Sequence, residues 1–341
     1  MKKIDFEAHF VTDQWVAALL KNEGFPKLVE DRAAKTRRMY FSADACEPFS
    51  DVLLGNLLDL GEKRLANMDA AGIDVQVLSL TAPGVESLDP ALGVKLAKSA
   101  NDELAAAMAK FPGRFEGYAA LTPKDPDAAV AELERAVKEL GMKGWKTHSN
   151  YGDSYIDEKR YWPVLAKAEE LNVPIYLHPT APMIPQLRTY GFALAGAPFG
   201  FGVETAMVMM RLILSGALDA FPKLKIVLGH LGEGLPFVTQ RIDFPYVRPH
   251  FKADPGDIPQ IKKKPSDYLK QNMFVTTSGN YLKPAFMCTK EALGNQRILL
   301  GTDYPYEDSG ECMAFLESLP LSEADKRGIY AENAAAVGIS A

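Results

Sequence analysis

The sequence predicts a single domain with the (β/α)8-barrel fold, and three features of its 341 residues lead to that prediction. Eight short β-rich segments recur along the chain, and patterned helical stretches separate them, which is typical of βα units around a parallel sheet. Polar residues close several of these segments, where a barrel carries its functional groups. Because a barrel takes up about 250 residues, one barrel with an insertion fits residues 1–341 better than two domains do.

The order of the elements follows from these patterns. We expect strands at 3–10, 75–80, 115–121, 144–148, 174–179, 225–230, 273–278 and 297–303. Helix-compatible runs lie between them at 88–110, 125–140, 157–171, 203–221 and 283–293. Several of these runs open with Asp, Pro or Ser, which suit helix N-termini.

Two connections are longer than ordinary βα loops. Residues 11–61 separate the first strand from the helix before the second, and we interpret them as a small cap inserted into the barrel domain. Residues 180–202 are rich in Pro, Gly and aromatic residues and follow the fifth strand, so we expect them to form a wall of the pocket. Pro182, Phe192, Phe199 and Phe201 could clasp an aromatic ring there, although they are equally ordinary core residues.

Composition narrows the class of protein. Apolar residues make up 47% of the chain, and no run of about 18 of them that could span a bilayer is evident from the sequence. We therefore expect a cytoplasmic protein without a membrane partner. The three cysteines are widely spaced and argue against a disulfide framework or a zinc knuckle. A formal net charge of −6 makes nucleic acid an unlikely partner.

Five polar side chains close four of the predicted strands. Glu7 and His9 are two residues apart in the first strand, so both side chains point to the same side. His178, His230 and Asp303 end the fifth, sixth and eighth strands. Since the carboxyl ends of barrel strands meet at one face, all five should lie together.

This arrangement predicts a metal centre. Each residue alone is more often a core or loop residue, but their joint placement favours a metal site. Glu7, His9, His178 and Asp303 supply nitrogen and oxygen ligands for one divalent ion, Zn²⁺ or Mn²⁺. Glu233 follows His230 by three residues, where the chain turns from the strand into a helix, and could fix the tautomer of the imidazole. The alternative is a helix-capping Glu beside a structural His.

Six sequence stretches taken together resemble the amidohydrolase superfamily over nearly the whole chain. They are Glu7-Ala8-His9, Arg64-Leu-Ala-Asn-Met68-Asp69, Ser79-Leu-Thr-Ala-Pro-Gly84, Tyr176-Leu-His-Pro179, Gly229-His-Leu-Gly-Glu-Gly-Leu-Pro-Phe237 and Thr302-Asp-Tyr-Pro305. The resemblance is to the branch of non-oxidative aromatic acid decarboxylases, such as 2,3-dihydroxybenzoate and gamma-resorcylate decarboxylases. The stretches are also similar to 5-carboxyvanillate and aminocarboxymuconate semialdehyde decarboxylases.

The resemblance implies a metal-dependent decarboxylase of a hydroxylated aromatic carboxylic acid. Glu7 stands where typical hydrolases of the superfamily have a histidine, which favours decarboxylation. A carboxylate ligand also lowers the net charge of the centre and weakens its power to acidify water. By resemblance His230 and Glu233 form the acid/base dyad. Asp303 or His230 would donate a proton to the carboxylated carbon. Asp303 must be protonated at the moment of reaction, which a neighbouring anionic substrate and desolvation would favour by raising its pKa.

The resemblance also implies how the substrate carboxylate is held. Arg64 and Arg241 are the candidates, because arginine offers a fork of donors to a carboxylate. The second of them would cross from a neighbouring subunit, so we expect a homodimer or homotetramer. The alternative for either residue is an ordinary exposed helix arginine.

Two residues of the fourth strand leave alternatives open. Lys146 could be carbamylated and bridge two metals, as in binuclear relatives, although a structural lysine is the more common case. His148 could be a substrate contact or a further ligand, and the neighbouring Asn150 complicates its alignment with the decarboxylases.

Two other functions compete with decarboxylation. One is a metal-hydroxide hydrolase or hydratase acting on a lactone, amide or ring-cleavage product, with His230 as the base. The other is a non-catalytic barrel that binds an aromatic acid or a metal.

Overall fold

The protein is described here by a computed structural model, which covers residues 1–31, 33, 36–248 and 256–339. Its strands are β1 (Ile4–Phe10), β2 (Lys27–Asp31), β3 (Thr36–Tyr40), β4 (Cys46–Phe49), β5 (Val75–Leu80), β6 (Phe115–Ala119), β7 (Gly144–His148), β8 (Ile175–His178), β9 (Ile226–Leu228), β10 (Met273–Thr276) and β11 (Ile298–Leu299).

Eight of these strands form the predicted parallel barrel. Their order is β1, β5, β6, β7, β8, β9, β10 and β11, so each barrel strand neighbours the next one along the chain. Backbone hydrogen bonds join the last strand region to the first: Phe6 N donates to Leu300 O and Asp303 N donates to Glu7 O, both at 2.8 Å. The (β/α)8 fold class is therefore confirmed.

Helices cover the outside of the barrel. They are α1 (Asp13–Lys21), α2 (Asp51–Leu58), α3 (Glu62–Ala71), α4 (Pro90–Lys110), α5 (Pro126–Lys138), α6 (Trp162–Glu170), α7 (Phe192–Ala195), α8 (Gly200–Leu214), α9 (Ala217–Ala220), α10 (Thr239–Ile242), α11 (Phe244–Val247), α12 (Pro265–Asn272), α13 (Lys283–Leu293), α14 (Ser309–Ser318) and α15 (Glu323–Tyr330). Short 3₁₀ turns lie at Lys159–Tyr161, Pro185–Arg188, His230–Gly232, Leu235–Val238, Asn295–Arg297 and Glu332–Val337.

Two predicted strands end before the site residue that was expected to close them. The sixth ends at Leu228 and the eighth at Leu299, so His230 and Asp303 lie in the turns that follow. Both have positive φ angles, 52° and 60°. Such angles belong to the left-handed region and cannot continue a strand.

The segment predicted as a cap contains α1, α2 and an antiparallel sheet in the order β2, β3, β4. Residues 32, 34 and 35 of this segment lie outside the described residues. The indole of Trp15 in α1 is buried, and its Nε1 donates to the carbonyl of Gly84 beyond β5 at 2.8 Å. This contact helps to fasten the segment to the barrel.

The connection after β8 departs from the prediction of one helix at 203–221. The main helix begins at Gly200 and ends at Leu214, and Gly216, with φ 79°, starts the short α9. The stretch Phe192–Leu214 is also long and apolar enough to cross a membrane, with 44% of its most apolar window buried. The expectation that no such stretch exists was therefore wrong. Length and composition alone are weak indications of a span, because core helices of globular proteins pass the same test.

Candidate metal centre and acid/base site

Four predicted ligands meet at the carboxyl ends of the barrel strands. One donor atom from each of Glu7, His9, His178 and Asp303 lies within 4.8 Å of the other three. The Nε2 atom of His9 is 2.8 Å from Oδ1 of Asp303, and Nε2 of His178 is 3.7 Å from Oε1 of Glu7. The fold therefore brings together the set that the sequence predicted.

Glu7 is held by hydroxyl groups that the sequence analysis missed. Its Oε2 accepts hydrogen bonds from Thr276 Oγ1 at 2.6 Å and from Ser278 Oγ. The other oxygen, Oε1, is buried without a hydrogen-bond partner. The run of hydroxyl residues 276–278 where β10 ends was the available signal, because second-shell donors commonly orient ligating carboxylates.

Two imidazoles are oriented for coordination. Nδ1 of His178 lies 2.8 Å from the carbonyl of Pro179 and can only donate to it, which leaves Nε2 as a lone-pair donor. That Nε2 is buried and has no partner. On His9, Nδ1 lies 3.3 Å from both Ser79 Oγ and Lys146 Nζ, so these groups fix its outer side while Nε2 faces the cluster.

These residues fit a divalent cation. Two buried donor atoms, Glu7 Oε1 and His178 Nε2, face each other without protein partners, although buried polar atoms are normally satisfied. A mixed set of imidazole nitrogens and carboxylate oxygens suits Zn²⁺ or Mn²⁺.

The amino group of Lys146 is engaged by neighbouring groups of the protein. Its Nζ donates to the carbonyl of Leu80 at 2.8 Å and lies beside His9, and burial lowers its pKa to about 7. Among the described His, Cys, Asp and Glu residues, the cluster of possible metal ligands contains four members, Glu7, His9, His178 and Asp303.

His230 and Glu233 form a close pair in an unusual turn. Nδ1 of His230 lies 2.7 Å from Oε1 of Glu233. The five residues from His230 to Gly234 all have positive φ, between 52° and 82°. The predicted helix therefore begins later than expected, at Leu235–Val238 and Thr239–Ile242, and a left-handed turn, made possible in part by Gly232 and Gly234, holds the pair before it.

The pair lies beside the metal ligands. Nε2 of His230 is 3.8 Å from Oδ2 of Asp303 and 4.0 Å from Oε1 of Glu7. Burial by itself would lower the pKa of His230, but the negative charges and hydrogen bonds of Glu233 and Asp303 raise it well above its usual value.

The pKa of Asp303 is shifted in the opposite direction. Burial favours its neutral form, yet hydrogen bonds and positive charge from His230 and His9 hold the pKa of Asp303 well below its usual value. These opposite shifts favour the proton of this pair on the imidazole of His230. Burial acts on Asp303 in the predicted direction, and the predicted effect of an anionic substrate stays a prediction.

A cavity of about 700 Å³ opens beside this centre. Asp303, His178, His230 and Glu233 line it together with Phe192, Phe199 and Phe201 from the long connection. The connection is therefore a wall of the pocket, as predicted, whereas Pro182 lines a separate cavity. The room and the aromatic lining suit a flat ring.

Glu47 from the cap also lines this cavity, and the sequence analysis missed it. Its side chain is almost entirely buried, and burial, with the charge of Asp303 as the smaller cause, raises the pKa of Glu47 to about 8. A lone carboxyl in an irregular insertion gives no sequence signal, because only the fold brings it to the pocket.

Arg64 is not where a substrate contact was expected. It is completely buried, and its guanidinium donates to the backbone carbonyls of His9 at 2.7 Å, Asn56 at 3.0 Å and Asp59 at 2.6 Å. It does not line the cavity. The geometry therefore assigns Arg64 a structural role, joining the end of the cap to the end of β1.

The other two predicted substrate contacts also lie off the cavity wall of this chain. Arg241 is exposed on α10, with its guanidinium over the ring of Phe244. His148 is buried, with Nδ1 2.9 Å from Oε1 of Glu86. Its Nε2 has no partner, and burial lowers the pKa of the imidazole. The side-chain amide nitrogen of Asn150 donates hydrogen bonds to the backbone carbonyl of Ala181 and to the carboxylate of Glu204.

The fold and this centre define a class of protein: a barrel enzyme scaffold with a buried four-ligand metal site beside a His–Glu pair. The chain belongs to the amidohydrolase family, whose model matches residues 4–337. It is 38% identical over 343 residues to the gamma-resorcylate decarboxylase of Polaromonas sp. (strain JS666), covering 97% of both chains.

Two solved structures are similar throughout. The 5-carboxyvanillate decarboxylase from Sphingomonas paucimobilis overlays with a TM-score of 0.87 at 33% identity, covering 98% of both chains. The dihydroxybenzoic acid decarboxylase from Polaromonas sp. JS666, solved with manganese and the inhibitor 2-nitroresorcinol, gives a TM-score of 0.82 at 37% identity, covering 98% of this chain and 95% of the other.

Proposed function

We propose that this protein is a metal-dependent, non-oxidative decarboxylase, a carboxy-lyase that releases CO2 from a hydroxylated aromatic carboxylic acid. The observation that carries the proposal is the pairing of a carboxylate-containing metal site, with Glu7 as one ligand, and an aromatic-walled cavity directly beside it. The activities of the similar proteins support it.

The metal would be a single divalent ion, Mn²⁺ or Zn²⁺, held by Glu7, His9, His178 and Asp303. When bound, the ion supplies positive charge that anchors the substrate carboxylate and an adjacent phenolic oxygen and stabilises the charge that develops. The manganese bound to the similar dihydroxybenzoic acid decarboxylase from Polaromonas sp. JS666 supports Mn²⁺ as a candidate. Lys146 supports one ion over two, because its amine is engaged by Leu80 and lies against His9.

The proton that replaces the carboxylate would come from the pair of His230 and Asp303. The charge and hydrogen bond of Glu233 raise the pKa of His230, which favours its protonated form in the free enzyme. An anionic substrate beside Asp303 disfavours its ionised form, so the proton passes from His230 to Asp303 and then to the ring carbon. Protonation interrupts the aromatic system, the bond to the carboxylate breaks, CO2 leaves, and aromaticity returns.

Besides the metal ion, an arginine would suit the substrate carboxylate, and among the described residues that line the cavity there is no Lys or Arg. We propose that Arg241, exposed on α10, provides this positive charge by reaching into the cavity of a neighbouring subunit of a homodimer or homotetramer.

His148 would shape the pocket from behind His178. The ring centres of the two imidazoles are 5.7 Å apart.

The three cysteines, Cys46, Cys288 and Cys312, are unpaired, which supports a reducing, cytoplasmic location.

The test is CO2 release from a panel of hydroxybenzoates and carboxyvanillate-like acids, using enzyme whose metal content has been measured. We expect release with about one metal ion per chain, and loss of turnover in Asp303→Asn. Metal-loaded protein that releases no CO2, but incorporates oxygen from labelled water into a lactone or ring-cleavage product, would contradict the proposal and identify a hydrolase or hydratase.

A further inference from the structure

Glu47 occupies a defined position on the cavity wall. Alternation along β4 places Glu47 and Phe49 on the buried face of the strand and Pro48 on the exposed face. Pairing of Glu47 with Met39 of β3 fixes the register of the strand. Only 7% of Glu47 is exposed, and it lines the same cavity as Asp303 and Tyr306. The cap therefore presents one carboxyl to whatever fills the cavity.

Glu47 lacks a protein partner, unlike comparable buried carboxyls. Glu86 is paired with His148, Glu132 with Arg135, and Glu204 with Ser149 and Asn150. Among the residues that the structure describes, none forms a hydrogen bond or ion pair with Glu47. Because a buried carboxyl is costly without a partner, a structural carboxyl would have acquired one. Its position suggests that the partner is a group on the ligand.

The chemistry of a carboxyl determines which ligand group can serve. A carboxyl oxygen accepts a hydrogen bond from a hydroxyl or an amino group. Above about pH 8, where Glu47 is ionised, a second carboxylate on the ring would place two like charges together, and the described lining that this chain itself supplies contains no Lys or Arg to compensate. The same residue therefore attracts one type of ring substituent and repels another.

We propose that Glu47 determines substrate specificity: it accepts a hydrogen bond from a hydroxyl or amino substituent of the ring and, when ionised, excludes rings with a second carboxylate. This inference rests on the proposed function, because it concerns the substrate of that same site. With Glu47 ionised, the preferred substrates are aromatic monocarboxylates with a neutral hydrogen-bond donor on the ring.

The test uses binding of two non-reacting probes to the metal-loaded enzyme, measured by calorimetric titration. In 2-nitroresorcinol, a nitro group stands in for the leaving carboxylate and the ring carries only hydroxyls. In 4-hydroxy-3-methoxy-5-nitrobenzoate, the ring carries a carboxylate in addition. The variants are Glu47→Gln, which keeps size and hydrogen bonding, and Glu47→Ala. The control is Glu307→Gln, a carboxyl that lines the same cavity but is exposed.

The titrations are made at about pH 9, where Glu47 is ionised, and there we expect wild type to bind 2-nitroresorcinol at least about 10-fold more tightly than the carboxylated probe. Glu47→Gln should shrink this ratio by about 10-fold, mostly by tightening the carboxylated probe, and Glu307→Gln should leave it within about 2-fold. A ratio that Glu47→Gln leaves unchanged, or that Glu307→Gln changes equally, would overturn the inference. CO2 release is assayed separately, so the proposed function can fail while the binding ratio still decides the role of Glu47.

Discussion

Replacing Arg64 tests whether it is a structural residue or a substrate contact. Arg64→Met keeps the volume of the side chain but removes the three donors that satisfy the carbonyls of His9, Asn56 and Asp59. Burial lowers the pKa of Arg64 only to about 10, so the native side chain is a cation at neutral pH. The variant therefore loses charge-assisted hydrogen bonds inside the protein.

The expected loss of stability in Arg64→Met follows from those contacts. Each buried acceptor left without a donor costs about 1–3 kcal/mol, and some of the loss is recovered by relaxation of the end of the cap. We therefore expect the free energy of unfolding to fall by about 3–5 kcal/mol, the range measured when a buried charged group is removed from its partners. For a domain of 341 residues that corresponds to a fall in Tm of about 4–7 °C.

The assay is thermal unfolding of metal-loaded protein, combined with steady-state kinetics. Arg64→Met should lower Tm by that amount, and Arg64→Lys, which retains the charge but not the fork, should lower it by less. Arg241→Met is the matched comparison: its Tm should remain unchanged because Arg241 is exposed, while KM rises if it contacts substrate. A wild-type Tm with a raised KM in Arg64→Met would refute the structural assignment.

Three further outcomes follow from the metal centre and the acid/base pair. Chelation should abolish CO2 release and lower Tm, and Mn²⁺ at about 100 times its Kd should restore about 2.7 kcal/mol of stability; activity that survives chelation would exclude a catalytic metal. The double variant Thr276→Val with Ser278→Ala should weaken metal affinity about 10–100-fold, measured by competition with a chelator, because Glu7 loses both donors; unchanged affinity would contradict this. Glu233→Gln should lower the raised pKa of His230, so that kcat/KM, which needs protonated His230, declines at a lower pH than in wild type; an unshifted profile would remove Glu233 from proton transfer.

The barrel and the metal ligands could be predicted because each has a local sequence signal. Glu7 and His9 share one side of a strand, and His178 directly ends an apolar strand. A parallel barrel then carries all strand ends to one face without further information. Asp303 was identified for the same reason, although its strand ends four residues earlier than expected, at Leu299.

The remaining features depend on contacts between distant parts of the chain. Glu47 reaches the cavity through the register of the cap sheet, and an irregular insertion does not reveal that register. Arg64 resembles an ordinary helix arginine in sequence, yet it bonds His9, 55 positions away along the chain. Such residues can be assigned only when the tertiary structure is known, because charge and helical position are the same for a structural and a functional arginine.

The left-handed turn at 230–234 shows why the acid/base pair could be named but its geometry could not. Three of its residues are not glycine, namely His230, Leu231 and Glu233, with φ between 52° and 59°. A left-handed conformation costs about 1–2 kcal/mol for each such residue, so the sequence alone favours the helix that we predicted. The surrounding structure offsets that cost: Leu231 is buried, and its carbonyl accepts a hydrogen bond from Thr289. Strained residues of this kind persist where function requires them, and this turn places His230 between Glu233 on one side and Asp303 on the other.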